Sequence, residues 1–523
     1  MFDFARMRTL ADISRAQASV RPDAIAQIHD GRTTTYRELD IRASRVANGL
    51  GGLSLAKGDR VAFLGKNSDL YFELLLGSLK AGTVMTGINW RLAVPEIAYI
   101  LNDSGAEVLF VTREFYETAA TLKDECPRVR MIVAMDGGHA EWKGFEDWRD
   151  AQAAADPFLT ITGDDDVIQL YTSGTTGHPK GVQLTDGNYL ALFSAAAAAG
   201  WADYEAGEVN LTVMPVFHVA GVNMGLMSLA QGAVNVVQRE VDLDMCLDLL
   251  QAHKVNNVFL VPAVILFLLL HPRTKTTDFG SLKRIFYGAS PIAEDTLRQA
   301  QALFGCGFYQ LYGMTETGGG GTCLGPEDHA PEKGKLRSCG KPYPGFDIRI
   351  VDGDGRTLPA GEVGEIQIRC GAVMKGYWNK PEATAKTVSA DGWLATGDAG
   401  FFDDDGYLFI HDRVKDMIVS GGENIYPAEV ENALFGHPAV ADAGVIGVPD
   451  EKWGEAVKAI VVLKPGQTVD AAELIAYART RIAGYKVPKS IDFVASLPRN
   501  PSGKILRREL REPYWAGRDR RVN

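Results

Sequence analysis

The sequence predicts an α/β protein with a large N-terminal domain, which includes a distorted β subdomain, and a small C-terminal α/β domain. Three observations support this. Short apolar runs alternate with amphipathic stretches to about residue 315, a pattern typical of parallel strands covered by helices. After Gly340, short strand patterns are separated by glycine and aspartate turns. A second α/β alternation follows Arg413.

The N-terminal alternation defines individual elements. Buried-strand patterns are predicted at 60–64, 107–111, 167–170, 257–261 and 284–287. Helices are predicted at 69–81, with one apolar face, at 242–253 and at 293–304. The longest apolar run, 258–270, is broken by Pro262, and a membrane span needs about 20 apolar residues. We therefore predict a buried strand that leads into a core helix, and a peripheral membrane contact stays open as the alternative.

The later elements are shorter. Strands at 346–351, 364–368 and 407–410, separated by the turns DGDG and DDDG, predict the β subdomain. Beyond it, helices at 430–434 and 471–482 and strands at 445–448 and 459–463 predict the last α/β unit. We place the two domains at 1–412 and 413–523.

Composition and charge exclude several classes of protein. Of the 523 residues, 46% are hydrophobic and 23% are charged, as in soluble globular proteins. The 66 acidic and 54 basic residues give a formal charge of −12, so we expect no nucleic-acid partner. Six cysteines without CxxC spacing predict neither a zinc site nor a disulfide framework. They suit a cytoplasmic location, and the N-terminus lacks the apolar run of a signal peptide.

The segment 171–182, YTSGTTGHPKGV, carries the most chemical information. Its glycines allow a tight backbone turn, its hydroxyls add donors, and its lysine adds a positive charge, so it predicts a polyphosphate cradle. Because Gly181 follows the lysine, it is not a Walker A loop. The alternative is a polar surface loop. The candidate phosphate-binding residues are Thr172, Ser173, Gly174, Thr175, Thr176, Gly177 and Lys180.

Four further motifs follow in order: YQLYGMTET at 309–317, WLATGD at 393–398, HDRVKDMIVSGGENIYPAE at 411–429 and PRNPSGKIL at 498–506. Tyr312 offers a flat face for a base, and such stacking is worth roughly 1–3 kcal/mol. The Thr315 hydroxyl can donate to a phosphate, and Glu316 can hold Mg²⁺, which prefers oxygen ligands. Asp398 can accept from ribose hydroxyls.

Together with the loop at 171–182, these motifs resemble the adenylate-forming superfamily, which comprises acyl-CoA synthetases, luciferase-like enzymes and the adenylation domains of peptide synthetases. The resemblance covers nearly the whole chain. Two segments, VMKGYWNKPEAT at 373–384 and GVPDEKWGE at 447–455, are most similar to bacterial fatty-acyl-CoA synthetases. The resemblance to this superfamily implies a mobile C-terminal domain and a two-step reaction. A carboxylate and Mg·ATP give acyl-AMP and pyrophosphate, and coenzyme A then gives acyl-CoA and AMP.

The resemblance also implies roles for individual residues. Lys504 would stabilise charge at the α-phosphate together with Thr315 and Glu316, the last of which would bind the metal. His218, in the segment MPVFHVAG at 214–221, would lie near the substrate carboxylate. Lys415 matches the hinge between the domains. The implied nucleotide- and coenzyme A-binding residues are Gly288, Ala289, Ser290, Tyr312, Gly313, Met314, Asp398, Ile410, Arg413, Gly421, Gly422 and Glu423.

We predict a ligase for a medium- or long-chain fatty acid. The alternatives are an aryl or phenylpropanoid acid–CoA ligase, which tends to carry a lysine where this chain has Val419, and a luciferase-like oxygenase. A peptide-synthetase adenylation module is disfavoured because no carrier domain follows Lys504. A nucleotide-binding regulator without turnover is disfavoured because Lys180, Glu316 and Lys504 are all present. The glycine run at 318–321 is either a deep pocket floor or a loop. A homodimer stays open.

Overall fold

The computed structural model describes residues 7–172, 179–413, 416–420, 423–500 and 504–516. They form a large N-terminal domain of two mainly parallel sheets and one antiparallel sheet, and a small C-terminal domain with its own sheet. The predicted α/β class and its division into a large and a small domain are confirmed. Within the described residues, no helix is both long and apolar enough to cross a bilayer.

The elements up to residue 198 are α1 (Asp12–Val20), β1 (Ile25–His29), β2 (Arg32–Thr35), α2 (Tyr36–Gly52), β3 (Arg60–Leu64), α3 (Asp69–Ala81), β4 (Val84–Ile88), α4 (Val94–Ser104), β5 (Val108–Val111), α5 (Tyr116–Leu122), β6 (Met131–Ala134), β7 (Lys143–Gly144), α6 (Phe145–Asp150), β8 (Asp166–Thr172), β9 (Lys180–Thr185) and α7 (Asp186–Ala198).

The elements from 209 to 413 are β10 (Val209–Thr212), α8 (Val219–Ala230), β11 (Val234–Val237), α9 (Leu243–Ala252), β12 (Asn257–Leu260), α10 (Pro262–Leu270), β13 (Arg284–Gly288), α11 (Glu294–Phe304), β14 (Gly307–Gly313), β15 (Gly321–Leu324), β16 (Lys341–Pro342), β17 (Asp347–Val351), β18 (Gly364–Arg369), β19 (Gly376–Tyr377), α12 (Pro381–Thr387), β20 (Leu394–Phe402) and β21 (Leu408–Arg413). The C-terminal elements are β22 (Ile418–Ser420), β23 (Glu423–Ile425), α13 (Pro427–Phe435), β24 (Val440–Asp450), β25 (Gly454–Leu463), α14 (Ala471–Arg479), β26 (Ser490–Phe493) and α15 (Arg507–Trp515).

One large sheet has eight strands in the order β19-β9-β8-β4-β3-β5-β6-β7, with parallel pairing from β8 through β4 to β7. The other has nine, in the order β16-β15-β14-β13-β12-β10-β11-β1-β2. Its central strands are also parallel, so the predicted layering is confirmed. Because ligands bind beyond the carboxyl ends of parallel strands, the turns after β13 and β14 are well placed for a site.

Helix α3 has the predicted bounds but not the predicted one-sided character, because every residue in it is buried. Its charged side chains are paired with remote acids and bases. Nζ of Lys80 lies 2.5 Å from Oδ1 of Asp40, and Oε1 of Glu73 lies 2.9 Å from Nη1 of Arg149. These charged side chains of α3, which predict a solvent-facing side, are therefore buried with ion-pair partners inside the protein.

The run at 258–270 forms β12 followed by α10, which begins at Pro262, as predicted. The helix is less buried than a core helix, since Phe267 is 52% and Leu270 58% exposed.

The antiparallel sheet β17-β18-β20-β21 is the predicted β subdomain. Strand β21 ends at Arg413, and β22 begins at 418 in the separate C-terminal sheet. That sheet has the order β23-β22-β25-β24, with β26 beside β25, and its apolar face packs against α13 and α14.

Candidate active site

The antiparallel hairpin of β8 and β9 carries the two ends of the predicted polyphosphate cradle at 171–182. Thr172 ends β8 and Lys180 begins β9, and the two are paired in register. The hairpin therefore holds the two ends of the motif side by side. The predicted phosphate-binding residues between them, Ser173, Gly174, Thr175, Thr176 and Gly177, lie outside the described residues.

The turn after β14 carries Thr315 and Glu316. Residues Thr315–Thr317 form a short 3₁₀ helix in which Thr315 is partly exposed and Glu316 is buried. The hydroxyl of Tyr377 donates to Oε1 of Glu316 at 2.7 Å. The Nζ of Lys180 lies 4.7 Å from the centroid of the Tyr377 ring. The structure thus brings the predicted metal-binding carboxylate and the predicted phosphate-binding lysine to opposite parts of one tyrosine.

Tyr312, the predicted stacking partner of the base, lies near the end of β14 and is buried. Its hydroxyl donates to Oδ2 of Asp398 at 2.9 Å. Burial, followed by the negative charge of Asp398, raises the pKa of Tyr312 well above its usual range. The phenol therefore stays protonated and remains a donor to the carboxylate.

The neighbouring turn after β13 contains the other predicted wall of the base site. A side chain at Gly288 would collide with the carbonyl oxygen of Leu311 on β14, so only glycine fits there. Ala289 is exposed and has a φ of +65°, a left-handed conformation that is uncommon for residues other than glycine. Such backbone strain clusters at ligand-binding sites. Ser290 follows, partly exposed.

The glycine run that follows Thr317 is a closely hydrogen-bonded turn. The Thr317 hydroxyl donates to the Gly320 carbonyl at 2.6 Å, and Nδ2 of Asn223 donates to the Gly318 carbonyl at 2.6 Å. The Met314 carbonyl accepts from the amide of Gly319 at 2.8 Å. Gly313 lies against this turn, where a side chain would meet the carbonyl oxygens of Gly319 and Gly320.

Asp398 lies on β20, and its amide donates to the hydroxyl of Thr396 at 3.1 Å. Asp398 pairs in register with Arg413 on β21, so the two predicted ribose contacts are neighbours across the sheet. Ile410 lies on the same strand and is partly buried. The side chain of Arg413 lies outside the described part of the chain.

His218 precedes α8 and packs its ring against Phe217, with 4.7 Å between the ring centroids. Burial, followed by the positive charge of Arg91, lowers the pKa of His218 to about 4. Within the described residues its Nε2 is buried without a hydrogen-bond partner. A neutral imidazole at this position can offer one hydrogen bond to a substrate but no positive charge.

Lys504 lies between β26 and α15 in the C-terminal domain. Its amide donates to Oδ1 of Asn500 at 2.8 Å, and its carbonyl accepts from the Asn500 amide at 2.8 Å. The predicted hinge residue Lys415 and the coenzyme A-loop residues Gly421 and Gly422 lie outside the described residues. Glu423 begins β23, with its side chain outside them.

The donor set fits magnesium held jointly with a nucleotide. Within the described residues, no cluster of three or more histidine, cysteine or acidic side chains could hold a metal alone. Mg²⁺ is typically bound by one or two carboxylates together with substrate phosphates and water. The buried carboxylate of Glu316 fits that arrangement. It accepts from the Tyr377 hydroxyl, and the ring of the same tyrosine contacts Lys180.

No sequence motif indicates a role for Tyr377 or Asn223. Tyr377 lies inside the segment 373–384, which served only as a mark of resemblance. Its position beside Lys180 comes from the pairing of β19 with β9, which no local pattern indicates. Asn223 lies on α8 in a mainly apolar stretch. A polar residue in such a stretch is the one sequence feature that could have indicated its hydrogen bond to the glycine turn.

The chain is similar to known proteins over most of its length. Residues 14–378 match the family model described as AMP-binding enzyme, and residues 429–504 match the AMP-binding enzyme C-terminal domain. The chain is 42% identical over 521 residues to ScoC, a fatty acid–[acyl-carrier-protein] ligase of Streptomyces coeruleorubidus, covering 99% of each protein. It is 41% identical to a feruloyl-CoA synthase of Amycolatopsis sp, covering 95% of this chain and 97% of that protein.

Among solved structures, it resembles a fatty acyl CoA synthetase of Mycobacterium tuberculosis. The identity is 35%, the TM-score is 0.78, and the match covers 98% of this chain and 100% of the other.

Proposed function

From the premise that the chain belongs to the AMP-binding enzyme family and is an ATP-dependent, AMP-forming acid–thiol ligase, we propose that its acid is a medium- or long-chain fatty acid and its thiol is coenzyme A. The similarity to the fatty acid ligase ScoC and to a fatty acyl CoA synthetase carries the choice of acid. Two neighbouring contacts support the ATP-dependent step. Near the end of β14, Tyr312 donates to Asp398, and four residues later Glu316 accepts from Tyr377, whose ring lies beside Lys180. We infer from them a nucleoside site next to a polyphosphate site.

In the proposed first step, a carboxylate oxygen of the acid attacks the α-phosphate of ATP, and pyrophosphate leaves. Tyr312 stacks on the adenine, and Asp398 accepts from the ribose. Lys180 and Thr315 hold the phosphates. Glu316 would hold Mg²⁺, which would neutralise part of the phosphate charge. Lys504 places its ammonium where negative charge develops, which lowers the barrier because such donors are preorganised.

In the proposed second step, the coenzyme A thiol attacks the acyl carbonyl, and AMP leaves. The family resemblance assigns Gly421, Gly422 and Glu423 to the path of the thiol and Lys415 to the hinge about which the C-terminal domain would rotate. We place the enzyme in the cytoplasm because its cysteines lack the paired spacing of a disulfide framework.

Two alternatives rest on particular relatives. The 42% identity to ScoC, named for an acyl-carrier-protein substrate, favours a carrier protein as a second candidate thiol. The 41% identity to a feruloyl-CoA synthase favours an aryl acid as a second candidate acid.

The test compares kcat/KM for decanoate, palmitate and coumarate, with coenzyme A or acyl-carrier protein as the thiol and AMP release as the readout. Each buried methylene is worth roughly 0.8 kcal/mol, so a chain-binding pocket predicts a steep rise in kcat/KM with chain length. A preference for coumarate of about tenfold, or 1.4 kcal/mol, would overturn the fatty-acid proposal. AMP release with acyl-carrier protein but not with coenzyme A would overturn the assignment of coenzyme A as the thiol.

A further inference from the structure

Tyr377 touches two groups of opposite charge with two different parts of its side chain. Its hydroxyl donates to Oε1 of Glu316 at 2.7 Å. Its ring face lies 4.7 Å from Nζ of Lys180, within the range of a cation–π contact. Glu316 and Lys180 come from different large sheets of the N-terminal domain, since one follows β14 and the other begins β9.

The backbone of Tyr377 is fixed from several sides. It pairs with Val182 on β9, and the next residue, Trp378, donates from its amide to the Gly181 carbonyl at 2.8 Å. The amide of Tyr377 itself donates to the Thr384 hydroxyl at 2.9 Å. Tyr377 is 7% exposed. Its ring is therefore a rigid part of the site.

We propose that Tyr377 is a positioning residue that orients the carboxylate of Glu316 for the cation of Mg·ATP and the ammonium of Lys180 for the phosphates. This inference rests on the proposed function. The hydrogen bond to Oε1 fixes the rotation of the carboxylate. The ring face attracts Lys180 without a negative charge, so it does not compete with the phosphates for that lysine. A residue that served packing alone would need only the ring.

The test measures ATP binding by calorimetry, with Mg²⁺ and with a chelator, and needs no acid. Tyr377→Phe keeps the ring and loses the donor. Because the charged carboxylate loses a hydrogen bond that orients it, we expect the affinity for ATP with Mg²⁺ to fall about tenfold, which corresponds to 1.4 kcal/mol. The affinity without Mg²⁺ should be unchanged. Tyr377→Leu loses the ring as well and should weaken binding in both conditions.

A thermodynamic cycle with Glu316→Gln separates positioning from packing. In that background, Tyr377→Phe should cause no further loss of Mg²⁺-dependent affinity, because the charged group that it orients is already gone. The matched control is Tyr71→Phe, which removes a buried hydroxyl that has no hydrogen-bond partner within the described residues. It should bind ATP like the wild type.

Equal losses with and without Mg²⁺, additive losses in the cycle, or the same loss in Tyr71→Phe would overturn the inference. If Tyr377→Phe does not fold, 3-fluorotyrosine at 377 keeps the shape and changes the donor strength, and an unchanged Mg²⁺-dependent affinity would then overturn it. A wild type that binds Mg·ATP but adenylates no acid would contradict the proposed function alone. A wild type that binds no Mg·ATP would contradict both.

Discussion

The Tyr312 hydroxyl donates to Oδ2 of Asp398 at 2.9 Å, joining the strand that carries the proposed adenine contact to the strand that carries the proposed ribose contact. The two residues lie in different sheets, on β14 and β20. Because burial raises the pKa of Tyr312 well above its usual range, the phenol stays protonated and remains a hydrogen-bond donor. The hydrogen bond thus links the two halves of the proposed nucleoside site.

We expect Tyr312→Phe to raise the KM for ATP more than it changes the KM for the acid. The ring remains for stacking, but Asp398 loses a donor that orients it. A typical hydrogen bond contributes about 0.5–1.5 kcal/mol, so the free energy of unfolding should also fall when this one is lost. ATP–pyrophosphate exchange and urea denaturation measure the two effects. Tyr204→Phe is the control, since its buried hydroxyl has no hydrogen-bond partner within the described residues. Equal changes in both KM values would contradict a nucleotide-specific role.

The regular elements were predictable where a local pattern determines them. Strand β3 and helix α3 have the bounds that the pattern of apolar residues predicts. Ser68 caps the start of α3, and Gly82, with a φ of +68°, ends it in the left-handed conformation that favours glycine. These signals lie within a few residues of the helix ends, so the sequence alone displays them.

Contacts between distant segments were not predictable in this way. The polar residues of α3 predict an exposed side, but the whole helix is buried. The sequence could not show this, because the partner of Glu73, Arg149, is distant in the chain. The contact of Tyr377 with Glu316 joins residues 61 positions apart. Motifs predict which residues belong to the site, but the side chains that contact those residues depend on strand pairing.

Gly313→Ala should destabilise the protein and reduce adenylation. The new methyl group would collide with the backbone carbonyls of Gly319 and Gly320, which cannot move aside as a flexible side chain can. Overpacking typically costs about 1–3 kcal/mol, which thermal denaturation would show as a lower Tm. Gly325→Ala is the matched control, because no atom lies within 4 Å of the added methyl group. A Tm for Gly313→Ala equal to that of Gly325→Ala would show that the turn is not closely packed.

Asp186→Asn should make the stability of the protein less dependent on pH. Burial raises the pKa of Asp186 to about 7, and Asp12 and Asp165 act in the same direction. The unfolded carboxyl titrates near its ordinary pKa of about 3.9, so the group's stabilising contribution is complete below that value and is lost as the pH rises toward 7.

An asparagine at 186 can still accept from the amide of Leu10, which donates to Oδ2 of Asp186 at 3.0 Å. It cannot ionise, so Tm should fall less between about pH 4 and about pH 7 than in the wild type. Asp124→Asn, at an exposed position, is the control. Parallel Tm curves for Asp186→Asn and the wild type would contradict the raised pKa.

Lys504→Ala should separate the two half-reactions. The proposed role of Lys504 is to offset negative charge at the α-phosphate during the first step, and loss of one preorganised donor typically lowers the rate about 10²–10³-fold. Single-turnover formation of acyl-AMP should fall by that factor, whereas conversion of supplied acyl-AMP and coenzyme A should continue at the wild-type rate. Lys489→Ala, at an exposed position in the same domain, should leave both rates unchanged. If a folded Lys504→Ala variant loses both half-reactions equally, Lys504 does not act in adenylation alone.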